Sequence, residues 1–373
     1  MSRLPEGELN ESNRSAGGGF SQHTVRLAWI LALAYLLVVV YASLRPFSGW
    51  RLPPDEILFF LGAPWPRFIT LQDVLVNVGA YVPLGLLLSV GFGARYGAAR
   101  GALVAALTAI AFSLLMEAVQ MFLPSRIASN VDLLANTFGA LLGATAAPLL
   151  APTRILGGKL HATRHRLFVE GIVADAGMVV AFLWLLTQFH PTVQPFGTGS
   201  LRGTLELPAY LIHTPVLAFT SEALVVFLNL AGVGLLLSVV MREDTRPMRM
   251  IAALVAAALA IKAYTAFELV KLTAPLAWLT PGVLVGLAGA CAFLYLAIRL
   301  PGTARIAVSA ICIAAAAVVI NLAPDNPYQN VPPRLLARGS SHFLSFSGIV
   351  RALSELWPAL AIAFLLCAFA RRK

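Results

Sequence analysis

Within the first 150 residues, polar side chains able to bind or protonate a ligand recur at helical spacing in otherwise apolar segments. Asp73, Asn77 and Tyr81 follow one another at i, i+4 and i+8, and Ser113, Glu117 and Gln120 share a second helical face. Arg126 and Ser129 come next, followed by Asp132 and Asn136, whose stripe continues into Gly139 and Gly143. An ionisable group deep in a membrane helix costs roughly 2.5–3.5 kcal/mol on insertion scales, so each one asks for a partner or a task. Carboxylates of this kind bind or protonate a ligand, a guanidinium takes an anionic group, and amides hydrogen-bond a polar head. Structural work is the competing reading. Thr70-x-x-Asp73 and Ser129-x-x-Asp132 both fit a capping box, and Glu117 with Arg126 fits an ion pair that holds helices together. A secondary group lies further on, where Lys262 sits inside an apolar run with Glu268 six residues later. Glu222 and Asn229 are at comparable depth as partners for that lysine.

These residues need helices in lipid to position them. Of 373 residues 59% are apolar and only 12% charged, with a mean hydropathy of +0.81, whereas soluble domains carry roughly 25% charged residues. That scarcity excludes a water-soluble enzyme. Crossing the hydrocarbon takes about 20 residues, and ten runs meet that length: 27–44, 73–92, 101–123, 131–151, 170–189, 222–241, 250–268, 276–298, 304–323 and 350–370. The expected fold is an all-α, polytopic membrane helix bundle of about ten transmembrane helices.

Charge orients the bundle. Seventeen Lys and Arg fall in the N-terminal tail and in the segments 95–100, 154–166, 242–249, 299–305 and 371–373, while nine fall in the alternate connections. Basic residues collect on the cytoplasmic side, so both termini are expected there. The net charge of +10 then marks topology, and no nucleic-acid partner is expected. On this orientation Asp73, Glu117, Arg126 and Asp132 converge in the outer leaflet. The outer connections 45–72, 190–221 and 324–349 are long and rich in Pro, Gly and aromatics, as expected of re-entrant or interfacial segments. Arg334 and Arg338 suit an anionic group there, and Trp50 and Trp357 suit interfacial anchors. Four parts follow: a disordered cytoplasmic tail (1–26), a four-helix membrane domain (27–151), a basic cytoplasmic linker (152–169) and a six-helix membrane domain (170–373).

Cys291, Cys312 and Cys367 lie in apolar runs with no close Cys or His, and read as small core residues. His161 and His165 sit among Lys159, Arg164 and Arg166 and read as part of a solvated basic stretch. No metal site and no cofactor is expected. The chain carries no His-Glu-x-x-His, no Gly-x-Ser-x-Gly and no Gly-rich phosphate loop followed by Lys.

In order and spacing, the polar positions resemble the VanZ-like membrane protein family over residues 27 to about 151. The resemblance rests on Leu44-x-Pro46-Phe47, on Asp73-x-x-x-Asn77-x-x-x-Tyr81-x-Pro83-Leu84-Gly85 and on Glu117-x-x-Gln120. It continues through Arg126-x-x-Ser129-x-x-Asp132-x-x-x-Asn136-x-x-Gly139-x-x-x-Gly143. It implies a four-helix membrane domain, the bacterial inner membrane and a link to the cell envelope, the family being named for a member associated with low-level teicoplanin resistance. The six further spans depart from the simplest members. The function expected is a polar outer-leaflet pocket that handles an envelope lipid or glycopeptide-related amphiphile, with membrane lipid as partner and a role in antibiotic resistance as one outcome. A proton-coupled small-solute transporter using Glu117 and Lys262, or a non-catalytic membrane scaffold, are the alternatives; enzymatic activity and oligomeric state stay open.

Overall fold

The computed structural model describes residues 20–44, 47–53, 56–65, 71–189, 195–202, 214–266, 276, 278–323 and 341–372. Among these, eleven α-helices and one short 3-10 turn form, and no strand. In chain order the helices are α1 (Gln22–Leu44), α2 (Leu71–Tyr96), α3 (Ala98–Gln120), α4 (Asn130–Leu149), α5 (Ile155–Leu167) and α6 (Ile172–Thr187). They continue with α7 (Pro215–Val240), α8 (Pro247–Tyr264), α9 (Pro281–Ala297), α10 (Gly302–Leu322) and α11 (Ser341–Ala370).

Each of the ten apolar runs lies on a helix. Seven helices are long and apolar enough to cross a membrane, namely α1, α2, α3, α7, α8, α10 and α11, by length and composition. The apolar helices α6 and α9 are shorter, at 16 and 17 residues. In α4, 20 residues long, Asn130, Asp132 and Asn136 dilute the hydropathy. The basic stretch read as a linker coils into α5, because Leu156, Leu160 and the residues around them contain no helix breaker beyond Gly157 and Gly158. The chain divides into two compact units, residues 1–164 with 340–346, and residues 165–339 with 347–373.

In the first unit, α1 to α4 pack around Tyr81, Leu84, Leu88, Ala105, Ala109, Ala140 and Ala144. The outward positions are large and apolar: Leu37 is 66% exposed and Leu103 60%, while Glu117 and Gln120 are each 2% exposed. A polar interior beneath an apolar exterior is what lipid as solvent selects. Gly97, at φ +80°, turns the end of α2 straight into α3. Helices α2 and α4 approach to backbone contact, for a β-carbon on Gly139 would sit 2.2 Å from the Val78 carbonyl oxygen and one on Gly143 2.0 Å from that of Val82. Close approach of this kind is what small residues permit in membrane helices.

The second unit is built around α7, whose residues 229–240 are all buried. Trp357 also lies inside, fully buried, its indole N–H donating to the Val180 carbonyl at 2.8 Å. The interfacial role expected of it is corrected: it points from α11 into the core, and its one donor is satisfied by α6. Trp50 is 50% exposed, as an interfacial residue would be. Between α6 and α7, residues 195–199 are buried without being helical. Phe196, at φ +64°, stacks on Trp184 with 5.9 Å between ring centroids. Non-helical backbone at such depth needs its polar groups satisfied by protein. Gln188 Oε1 accepts from Phe196 N, Ser354 O accepts from Gly199 N, and Asn321 both accepts from Leu201 N and donates to Gly199 O.

Candidate functional site

The polar stripes of α2, α3 and α4 meet at the end of the first unit where α1 and α3 finish and α2 and α4 begin. Ser129 caps α4, its hydroxyl accepting from the backbone N–H of Val131 and Asp132 at 3.2 and 3.4 Å. In a complete capping box the Asp132 carboxylate would accept the Ser129 backbone N–H. Here Glu117 Oε2, reaching across from α3, accepts it at 2.9 Å. Asp132 Oδ1 in turn accepts from Asn77 Nδ2 at 2.7 Å, linking α4 to α2. Asn136, one turn further along α4, donates to Ser113 Oγ at 2.9 Å, and the Tyr81 hydroxyl lies within hydrogen-bonding reach of the same serine with Glu117 nearby. One bonded chain therefore runs from Asn77 through Asp132 and Ser129 to Glu117.

Arg126 and Gln120 tie this end to α1. The guanidinium donates to the Ala42 carbonyl at 2.8 Å and the Gln120 amide to the Ser43 carbonyl at 3.1 Å. Both acceptors lie in the last turn of α1, whose final carbonyls have no partner within the helix and whose negative dipole end favours a cation. Asp73 stands half-buried in the first turn of α2, and Thr70, its expected capping partner, lies outside the described residues.

All nine residues singled out from the sequence thus gather in this unit, with Asn77, Tyr81, Glu117, Gln120, Arg126, Asp132 and Asn136 buried. Two acceptors in the cluster are buried and lack a hydrogen-bond partner, Gln120 Oε1 and Asn136 Oδ1. Nearly all buried polar atoms are satisfied in folded proteins, so these two acceptors stand out within the cluster. The connection after α1 folds over this end: Asn130 Nδ2 donates to the Ala63 carbonyl at 2.8 Å and Arg51 N to the Phe122 carbonyl at 2.9 Å. Phe60 is buried there while Leu52, Phe59 and Trp65 are exposed, as in an interfacial lid. Sequence reasoning did not single out Asn130, Ala42 or Ser43. The carbonyls carry no signal in residue type, whereas Asn130, polar at a helix start, did offer one.

In the second unit Lys262 is buried on α8. Glu268 lies outside the described residues, as do Lys271, Asp325, Arg334 and Arg338. The two groups considered as partners of Lys262 have other bonds. Glu222 Oε2 accepts the hydroxyl of Thr280, the N-cap of α9, and Asn229 Oδ1 accepts from Thr198 Oγ1 at 2.9 Å.

Residues 18–151 match the VanZ/LLP1 family model and form a VanZ-like domain, the first unit's four helices. Residues 200–338, which take in α7 to α10, match a second family model, heparan-alpha-glucosaminide N-acetyltransferase, catalytic. This second domain forms the extension beyond the VanZ-like part. No curated protein and no solved structure matches the chain.

Proposed function

We propose that this multi-pass membrane protein recognises the polar head of a cell-envelope amphiphile in the VanZ-like unit, from the outer leaflet of a bacterial inner membrane, with both chain termini in the cytoplasm. The observation that carries this reading is the pair of buried, unpartnered acceptors, Gln120 Oε1 and Asn136 Oδ1, beside Glu117 and Asp132. Acceptors and carboxylates call for a ligand that donates hydrogen bonds, through hydroxyl or ammonium groups. Asp73 and Tyr81 complete the wall, Asn77 and Ser129 hold Asp132 in place, and Arg126, bonded to α1, fixes the rim. The exposed aromatics of the covering segment would sit at head-group level, where an amphiphile arrives.

A second reading concerns the other domain. Proteins described by its family model are named for N-acetylation of a glucosaminide, so we assign to residues 200–338 acyl transfer to the amine of an amino-sugar-bearing amphiphile. In that reaction the amine attacks an acyl carbonyl, the donor's leaving group departs, and the ammonium proton passes to a base. Both domains would then serve a ligand of one kind, rich in hydroxyl and amine donors.

Lipid extracts of protein purified in mild detergent test the first reading by mass spectrometry. Wild type is expected to retain an amine- or sugar-headed lipid that a Gln120→Met/Asn136→Leu variant loses by tenfold or more. Equal retention by a folded variant overturns it. Purified protein that fails to acetylate a glucosamine-headed lipid, given an activated acyl donor, removes the second. Proton-dependent uptake into proteoliposomes that Glu117→Gln abolishes would favour transport in place of both.

A further inference from the structure

At the end of the second unit where α7, α9 and α11 finish and α8 and α10 begin, a cleft of about 370 Å³ opens among the helix ends. Arg242, Arg299 and Arg305 line it, with Glu243 as the facing carboxylate. Arg305 is held in place by Nη1, which donates to the Ser238 carbonyl at 2.9 Å, while its Nε is buried without a hydrogen-bond partner. A fourth guanidinium stands alongside. Arg372 donates to the Val239 carbonyl at 3.1 Å, and its Nη1 lies where a side chain on Gly302 would have to be, so glycine makes room for it.

The surroundings neutralise only part of this charge: Glu243, one carboxylate against four guanidiniums, acts on Arg305. Arg242 meets Asp244 at 3.6 Å, an exposed pair of small worth, and Arg299 rests over the Tyr295 ring at 4.7 Å. Helix α10 begins at the cleft with Pro301 as N-cap and no side-chain cap, so its first N–H groups and positive dipole end face the same place. Like charges gathered in a partly buried cleft repel one another, and an unsatisfied buried N–H costs free energy. A bound anion offsets the repulsion.

We infer that this cleft binds the phosphate of an anionic phospholipid head group, with the Arg242, Arg299 and Arg305 guanidiniums as donors. Arginine forks match phosphate oxygens in geometry and charge. The location selects a lipid. Five helix ends place the cleft at the bilayer surface, and basic pockets between helices at that depth take phospholipid head groups. Beside it Tyr295 and Leu296 on α9 are 58% and 62% exposed, an apolar flank along which an acyl chain runs.

The test uses the full chain in a zwitterionic detergent, titrated with phosphatidylglycerol and separately with inorganic phosphate, with binding read by native mass spectrometry. Wild type should bind phosphatidylglycerol, and inorganic phosphate should compete only weakly. Arg305→Lys keeps a charge but removes the fork, and is expected to weaken lipid binding about tenfold, the loss of one charge-assisted hydrogen bond. Arg242→Gln/Arg299→Gln leaves the tie to Ser238 intact and should weaken it at least as much; it carries the test if the Arg305 variant does not fold. Lipid binding unchanged in folded variants overturns the cleft as the site. Inorganic phosphate binding as tightly as the lipid, and weakened by the same substitutions, overturns the lipid as its source.

Discussion

Replacing Gly139 with alanine tests how the α2–α4 seam sets the polar network. A β-carbon there would lie 2.2 Å from the Val78 carbonyl oxygen, where ordinary contact begins at 3.4 Å. The obstacle is backbone, so the helices must part by about 1.2 Å. Val78 adjoins Asn77, and Asp132 precedes Gly139 by two turns on the same face, so the same displacement stretches the 2.7 Å Asn77–Asp132 bond to about 3.9 Å, too long to survive. Forcing packed backbones apart costs about 1–3 kcal/mol, and an interhelical hydrogen bond in a membrane is worth about 0.6–1.7 kcal/mol. The expected loss of stability is about 2–4 kcal/mol. Unfolding of the purified protein, followed by tryptophan fluorescence, measures it. Gly79→Ala, with nothing within 4 Å of the added carbon, is the control and should change stability by no more than about 1 kcal/mol. A double-mutant cycle makes the reasoning specific: Asn77→Ala should cost its hydrogen bond in wild type and less than about 0.5 kcal/mol in the Gly139→Ala background. If the two losses simply add, the glycine does not act through the Asn77–Asp132 bond and the argument fails.

Two further perturbations probe the second unit. Asn321→Ala removes the acceptor for Leu201 N–H and the donor to Gly199 O; it should destabilise by about 2–4 kcal/mol and raise amide hydrogen exchange within residues 195–202 above the surrounding helices. Thr280→Val uncaps α9 and takes the hydroxyl from Glu222, with an expected cost of about 1–2 kcal/mol that Thr280→Ser recovers, as thermal unfolding would report.

What the sequence revealed, and what it hid, follows from the range of each interaction. Helix positions were legible because lipid imposes one hydropathy requirement on every span. The Asp73, Glu117 and Asp132 stripes were legible because a polar side chain is costly there, and Gly139 and Gly143 because small residues at i and i+4 mark a close approach. The identity of the partners was not. Ser129 and Asp132 spell a capping box, yet the carboxylate that takes the Ser129 N–H belongs to Glu117, a helix away. Arg126 and Gln120 bond to carbonyls of Ala42 and Ser43, which any residue type would supply. Trp357 suits an interface equally well by composition, and only the facing Val180 carbonyl decides for the core. The buried stretch 195–199 lies in the connection 190–221, whose Pro, Gly and aromatics suit a re-entrant or an interfacial segment alike; burial of 195–199 and the partners of their backbone decide for depth.

That stretch also dictates an order of assembly. Its satisfying groups come from the C-cap of α6, before it, and from α7, α10 and α11, after it, and the Ser354 carbonyl that receives Gly199 N–H stands on α11. While α7 emerges from the ribosome, the backbone of residues 195–202 has no complete set of partners in hydrocarbon. Hydrocarbon can receive it only once α10 and α11 stand alongside, so the second unit closes after these helices are inserted, and α11 locks the segment into place through Ser354.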